Sequence, residues 1–247
     1  MKPAPIPDLI KQISELSNDF HGAGVLAKEV ILEIYRLTGG SIRRSTETGW
    51  GKSTLLFSAI SEHHTCFTLG TENNADANSL AAVQQSPLFN ASTVEFILGP
   101  SQRTLPTHNF ERRLQLVFID GPHGYPFPEL EYYFFYPHLA EEGLLILDDI
   151  HIPTIARLYE FLKEEAMFEH IGDVMTTAFF RRTSAPLFDQ YGDGWWLQNY
   201  NKKRFPKLNA IYSHPRFTSR VYFLLVKTFG PGFAEKMRRL YRGTNRS

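Results

Sequence analysis

The sequence predicts an α/β protein, a mostly parallel sheet with helices on both faces and a C-terminal appendage. Three observations carry that reading. Apolar runs at 42–46, 66–69, 93–98, 115–119 and 143–147 alternate with helical or loop stretches that include 53–61, 75–85, 128–136 and 154–165. Strands separated by helix-length connections mark βαβ units, because parallel neighbours need a crossover that returns the chain to the same end of the sheet. Phe168 to Val174 and Thr177 to Arg182 stand too close for such a crossover, so they predict an antiparallel hairpin at the sheet edge. From Ser184 the pattern changes to a tail rich in Tyr, Trp, Phe, Arg and Pro, with helices expected near 217–228 and 231–241.

Taken in order, the chain opens with two amphipathic helices over 8–38. Leu9, Ile10, Ile13 and Leu16 share one face, as do Leu26, Val30, Ile34 and Leu37, and Gly39-Gly40 stops the second helix. The first strand, Ile42 to Thr46, is closed by Glu47. Gly49 and Gly51 then turn the chain into a helix that starts near Ser53, where backbone can approach a ligand without an intervening Cβ and free N–H groups face it. Gly51-Lys52-Ser53 also resembles the end of a phosphate-binding loop, but Thr46 stands where that loop needs its first glycine. Nucleotide hydrolysis is therefore the weakest of the three readings kept. The domain reading is 1–183 for the α/β domain with its N-terminal helices, and 184–247 for a cap packed on it.

Composition narrows the function classes. With 247 residues, 43% of them hydrophobic, the chain can bury one sizeable core. Lys plus Arg equals Asp plus Glu at 26 each, so no global field recruits nucleic acid. The balance conceals a basic tail: residues 216–247 carry eight Lys and Arg against Glu235 alone. One cysteine, Cys66, excludes an internal disulfide and a thiolate metal cluster. No apolar run has the length of a membrane span, and the start MKPAPIPD is unlike a signal peptide, so a cytoplasmic location is expected.

In open α/β sheets ligands bind beyond the carboxyl ends of the strands, at the switch in strand order. The polar residues at those ends are Glu47, Thr71 with Glu72, Ser101 and Gln102 after Gly99, Asp120, and Asp148 with Asp149. Carboxylates gathered at neighbouring strand ends repel one another unless a cation lies between them, and hard cations such as Mg²⁺ take oxygen ligands. Asp148 and Asp149 point to opposite faces if the strand runs through both, so joint chelation needs a bend there.

The order ETGWG, ILGPSQ, FIDGPH and LDDIH resembles the class I S-adenosylmethionine-dependent methyltransferases, with their Rossmann-like seven-stranded fold. It is most similar to the metal-assisted small-molecule O-methyltransferases of the catechol and macrocin types, over about residues 40–183. By that resemblance Glu47, Gly49, Trp50, Gly51 and Ser53 would line the methionine side of the cosubstrate, while Ser101 and Gln102 would approach its adenine. Asp120 would touch the cosubstrate and, with Asp148 and Asp149, would hold Mg²⁺. Glu72 is the nearest acid for the ribose, because CFTLG ends at Gly70. His123 falls where the catechol enzymes carry a catalytic lysine, so it and Asp120 are the catalytic candidates. The implied partner is a small-molecule hydroxyl acceptor, a sugar or a natural-product-like diol. The non-enzymatic alternative is a methyltransferase-like binding module.

The remaining candidates receive plainer readings. His63 and His64 are expected to be solvated, and His151 to cap the helix that Pro153 begins. Trp195 and Trp196 either pin the tail or wall a substrate pocket. The basic tail reads as a solvated face or a contact for self-association.

Overall fold

The computed structural model describes residues 6–16, 26–69, 74–205 and 219–243. Thr71 and Glu72 lie outside these, as do Arg216 and Arg246 of the basic tail. Two helices lead, α1 (Ile6–Glu15) and α2 (Lys28–Thr38). Gly39, in the left-handed conformation at φ 63°, ends the second.

The alternating portion then runs β1 (Ile42–Thr48), α3 (Lys52–Ile60), β2 (Ser61–Thr68), α4 (Asn74–Gln85), β3 (Val94–Leu98) and the short α5 (Ser101–Thr104). It continues through β4 (Leu114–Ile119), α6 (Phe127–Phe135), β5 (Leu139–Leu147) and α7 (Pro153–Glu164), and closes with the hairpin β6 (Phe168–Val174) and β7 (Thr177–Arg182). The seven strands lie in the order β3-β2-β1-β4-β5-β7-β6. All pairs from β3 to β5 are parallel, and the pairs made by β7 are antiparallel. This is the Rossmann-like architecture that the strand and helix alternation predicts.

Period-two alternation divides the strands' side chains between two cores. Leu116, Phe118, Leu144 and Ile146 face α1, α2 and α3, where Ile13, Ile31, Ile34, Leu55 and Phe57 are buried. Val117, Ile119, Leu145 and Leu147 face α6 and α7, packing with Phe135, Leu158, Leu162 and Phe180. Burial on both faces explains why these strands read as unbroken apolar runs.

The register sets up the site. Thr48 pairs with Phe67 on one side and Ile119 on the other, and Ile119 pairs with Leu147. The residues that follow these four therefore emerge level with one another at one edge. Strand order reverses between β1 and β4, so a crevice opens there.

Two expectations fail. The second strand begins at Ser61 rather than at 66, and it carries His64 into the core, where 1% of the residue is exposed. His64 is thus not solvated: a polar stretch, SEHH, pairs because β1 and β3 flank it on both sides. His151 does not cap α7, whose N-cap is Ile152 without a side-chain cap bond, although Pro153 does open the helix.

The chain divides into two compact units, Met1–Gln190 and Tyr191–Ser247. In the second, a 3-10 turn (Trp195–Leu197) precedes α8 (Asn199–Arg204), α9 (Ser219–Phe229) and α10 (Pro231–Gly243). The Trp195 and Trp196 rings meet edge to face at 6.2 Å.

Candidate active site

Beyond the carboxyl ends of β1, β2, β4 and β5 lies a cavity of about 460 Å³, within the size range of small-molecule and cofactor sites. Its β1 wall is the turn Gly49-Trp50-Gly51-Lys52-Ser53. Gly49 has φ +88°, and a Cβ there would stand 2.5 Å from the Asp120 carbonyl oxygen. Glycine is thus required because the β1 and β4 ends nearly touch. The Gly49 N–H continues the sheet by donating to Phe67 O at 3.0 Å.

Glu47 does not reach the cavity. It is fully buried behind the turn, where Thr54 Oγ1 donates to its Oε1 at 2.6 Å and His64 Nε2 approaches the same oxygen at 3.0 Å. Thr54 Oγ1 in turn accepts the Gly51 N–H at 3.0 Å. On the far side, His64 Nδ1 meets Ser45 Oγ at 2.7 Å, and Ser45 meets Ser61 Oγ at 2.7 Å. The relay ends at the N-terminus of α3 and holds the glycine turn from beneath. Cys66 donates its thiol to Gly49 O at 3.0 Å. Burial pushes that thiol's pKa well up, which suits a hydrogen-bond donor and not a nucleophile.

The opposite wall carries the acids. Asp120, His123 and Asp149 bring one ligand atom each to within 4.8 Å of one another. His123 Nε2 lies 3.2 Å from Asp149 Oδ2 and 3.8 Å from Asp120 Oδ1. The bend that sequence alone required does occur, since Asp149 has φ +54°. It turns the Asp149 carboxylate toward His123 while Asp148 Oδ1 takes the Thr177 hydroxyl at 2.5 Å and the Asp149 N–H at 2.9 Å. Asp148 still lines the cavity, one step behind the other two. His151, for which capping was expected, places Nδ1 3.6 Å from Asp149 Oδ1 instead.

Burial raises the Asp120 pKa, His123 opposes it, and the Asp148 and Asp149 charges add to the rise. His123 is raised by its interaction with Asp120 first and then by the charges of Asp120, Asp149 and Asp148. Its backbone is tied down as well, because the Thr154 hydroxyl donates to His123 O at 2.5 Å.

Between the walls lies a residue that sequence reasoning missed. Glu131, on α6, is fully buried, accepts the Thr48 hydroxyl at 2.8 Å, and stands beside Ser101. A Cβ on Gly121 would meet its Oε1 at 2.3 Å. One carboxyl group thus abuts the turns after β1, β3 and β4. Burial raises its pKa to about 7. The available signal was a glutamate directly before the aromatic run YYFF in the helix stretch FPELEYYFF.

Of the other expected residues, Ser101 lines the cavity, whereas Gln102 is exposed outside the lining. Trp50 Nε1, Thr68 Oγ1, Ser101 Oγ and Glu131 Oε1 are buried atoms without a hydrogen-bond partner among the described residues. All four belong to cavity-lining residues. Buried polar atoms are normally paired, so this cavity suits a ligand with polar groups along its length.

Residues 46–150 match the family model described as a methyltransferase domain. Solved structures share the fold. The O-methyltransferase TomG of Streptomyces achromogenes, in complex with S-adenosylmethionine, superposes with a TM-score of 0.54 at 15% identity, covering 72% of this chain and 90% of TomG. The Podospora anserina methyltransferase PaMTH1, bound to S-adenosylhomocysteine, gives 0.53 at 14% identity, covering 74% and 89%. A Bacillus cereus O-methyltransferase bound to the same product gives 0.51 at 14% identity, covering 72% and 90%. No curated protein matches the sequence significantly. The matched segment spans the glycine turn, Ser101, Asp120 and the Asp148-Asp149 pair.

Proposed function

We propose that this methyltransferase domain transfers the methyl group of S-adenosylmethionine to a hydroxyl of a small molecule, with help from a divalent cation. The observation that carries the reading is one cavity with the glycine turn on one wall and the Asp120, His123, Asp149 cluster on the other. The four unspent polar atoms in its walls support a cosubstrate with polar groups along its length. The Asp120 and Asp149 carboxylates are oxygen donors that fit a divalent ion, with the His123 imidazole standing beside them. The adjacent Asp148 has its Oδ2 to offer alongside them, because its Oδ1 already accepts from the Thr177 hydroxyl and the Asp149 N–H. When bound, the cosubstrate supplies an activated methyl group and the cation supplies Lewis acidity that makes a hydroxyl easier to ionise.

The chain's own residues do the rest. The turn from Gly49 to Ser53 and the wall at Thr68 and Ser101 fix the cosubstrate, and Asp120 and Asp149 orient the acceptor beside it. Holding two reactants in line is worth several kcal/mol of barrier, commonly about 7 or more in well-oriented systems. His123 Nε2 would accept the hydroxyl proton as the oxygen takes the methyl group, the methyl–sulfur bond breaking so that S-adenosylhomocysteine leaves. The carboxylates that raise the His123 pKa favour its protonated form. A cation on those same carboxylates would cancel that effect and free the imidazole to act as base. A diol, as in a sugar, suits a cation that can accept two oxygens.

Titration calorimetry with S-adenosylmethionine, with and without Mg²⁺, tests the core of this reading. Binding is expected, and no binding by the folded chain defeats it. Asp120→Asn should weaken the cation and leave cosubstrate affinity within a few fold. His123→Ala should lower kcat by about 10²- to 10⁴-fold. If that variant loses cation affinity instead, His123 is a ligand and not the base.

A further inference from the structure

Beyond methyl transfer, we infer that the helical hairpin of the second unit docks on an anionic lipid surface. Helix α9 ends at Phe229, Gly230 turns the chain at φ +82°, and α10 begins at Pro231. Around that turn large apolar side chains face solvent: Leu224 is 64% exposed, Phe229 61%, Phe233 42% and Met237 36%. The Phe229 and Phe233 rings lie 4.9 Å apart, so they form one apolar knob at the tip. A few isolated exposed apolar residues are ordinary, but four gathered on one short hairpin are not.

Charge identifies the occupant. Over residues 219–243 the chain carries Arg220, Lys227, Lys236, Arg238, Arg239 and Arg242 against Glu235 alone, although the whole protein is neutral. Lys227 and Lys236, which flank the aromatic tip, are themselves exposed. Exposed apolar side chains in a segment rich in cations match the composition of helices that lie in the membrane interface, where rings enter the acyl boundary and cations meet lipid phosphates. A nucleic acid would use the charge and leave Leu224, Phe229 and Met237 in water. A second copy of the hairpin would cover the apolar atoms only by bringing like charges together. No described helix is long and apolar enough to cross a membrane, so the surface contact is peripheral.

The full-length protein should float with phosphatidylcholine vesicles that contain phosphatidylglycerol and remain in solution with phosphatidylcholine alone. Salt should weaken binding, because each basic residue near such a surface contributes about fivefold in partitioning. The double substitution Phe229→Glu and Phe233→Glu should reduce binding at least about tenfold, the usual worth of burying one aromatic ring or more. Its thermal melt and its S-adenosylmethionine affinity should be unchanged, which shows that the variant is folded. Failure of the wild type to bind anionic vesicles overturns the inference, as does undiminished binding by the double variant or equal binding to neutral vesicles. So does a wild-type dimer in light scattering that the double variant dissolves, or RNA that displaces the protein from vesicles.

Discussion

Glu131 shows how much one side chain can hold. Its carboxyl group abuts the ends of three strands, with Thr48 donating to one oxygen and the other buried without a partner among the described residues. It titrates near 4.5 in an unfolded chain and at about 7 in the folded one. Between those values the folded state holds a proton that the unfolded state has lost. Stability is therefore greatest at the acid side of this window, falls as pH rises through it, and has lost up to about 3 kcal/mol above neutrality. Glu131→Gln should remove that slope: urea midpoints compared near pH 5 and near pH 8 should differ less in the variant than in the wild type. An identical slope would mean that Glu131 is ionised throughout. The sequence carried only a weak signal of this role, since an acid on a helix is most often solvated. His64 teaches the same lesson, as its fate depended on where β2 began.

At the scale of elements, the turn between β1 and α3 is decided by two contacts from outside it. Gly49 is pressed against the Asp120 carbonyl and sits at positive φ. Gly49→Ala should separate the β1 and β4 ends, lowering stability by about 1–3 kcal/mol and weakening S-adenosylmethionine binding, as calorimetry and thermal melts can show. Thr54 supports the turn from below by linking Gly51 N–H to Glu47. Thr54→Val keeps the shape and removes the hydroxyl, leaving two buried polar groups short of a partner at a cost of about 1–3 kcal/mol. Cosubstrate affinity should fall with it, while Thr54→Ser restores both. Equal affinity in all three proteins would reduce the relay to a packing feature. The turn itself was legible, because two glycines between a strand and a helix mark a tight change of direction. The buried fate of Glu47 was not, because a strand end reveals which residues emerge and not which way the last side chains face.

For the whole molecule, every cavity-lining residue from Leu26 to Asp149 belongs to the unit that ends at Gln190. We propose that this unit is an autonomous domain. A chain ending at Gln190 should unfold in one cooperative transition and bind S-adenosylmethionine within a few fold of the full protein. Loss of folding or of binding would show that the second unit completes the first. By itself the sequence determined the α/β class, the βαβ succession, the edge hairpin and the strand ends that line the cavity. Those follow from hydrophobic period and connection length, which are local quantities. Tertiary structure decided what local quantities cannot express. The level register of β1, β2, β4 and β5 made the strand ends converge, and the left-handed turn at Asp149 chose which of two adjacent aspartates faces His123. Packing placed Glu131, Glu47 and His64 out of water, because an ionisable group's surroundings are set by the residues folded around it and not by its neighbours in the chain.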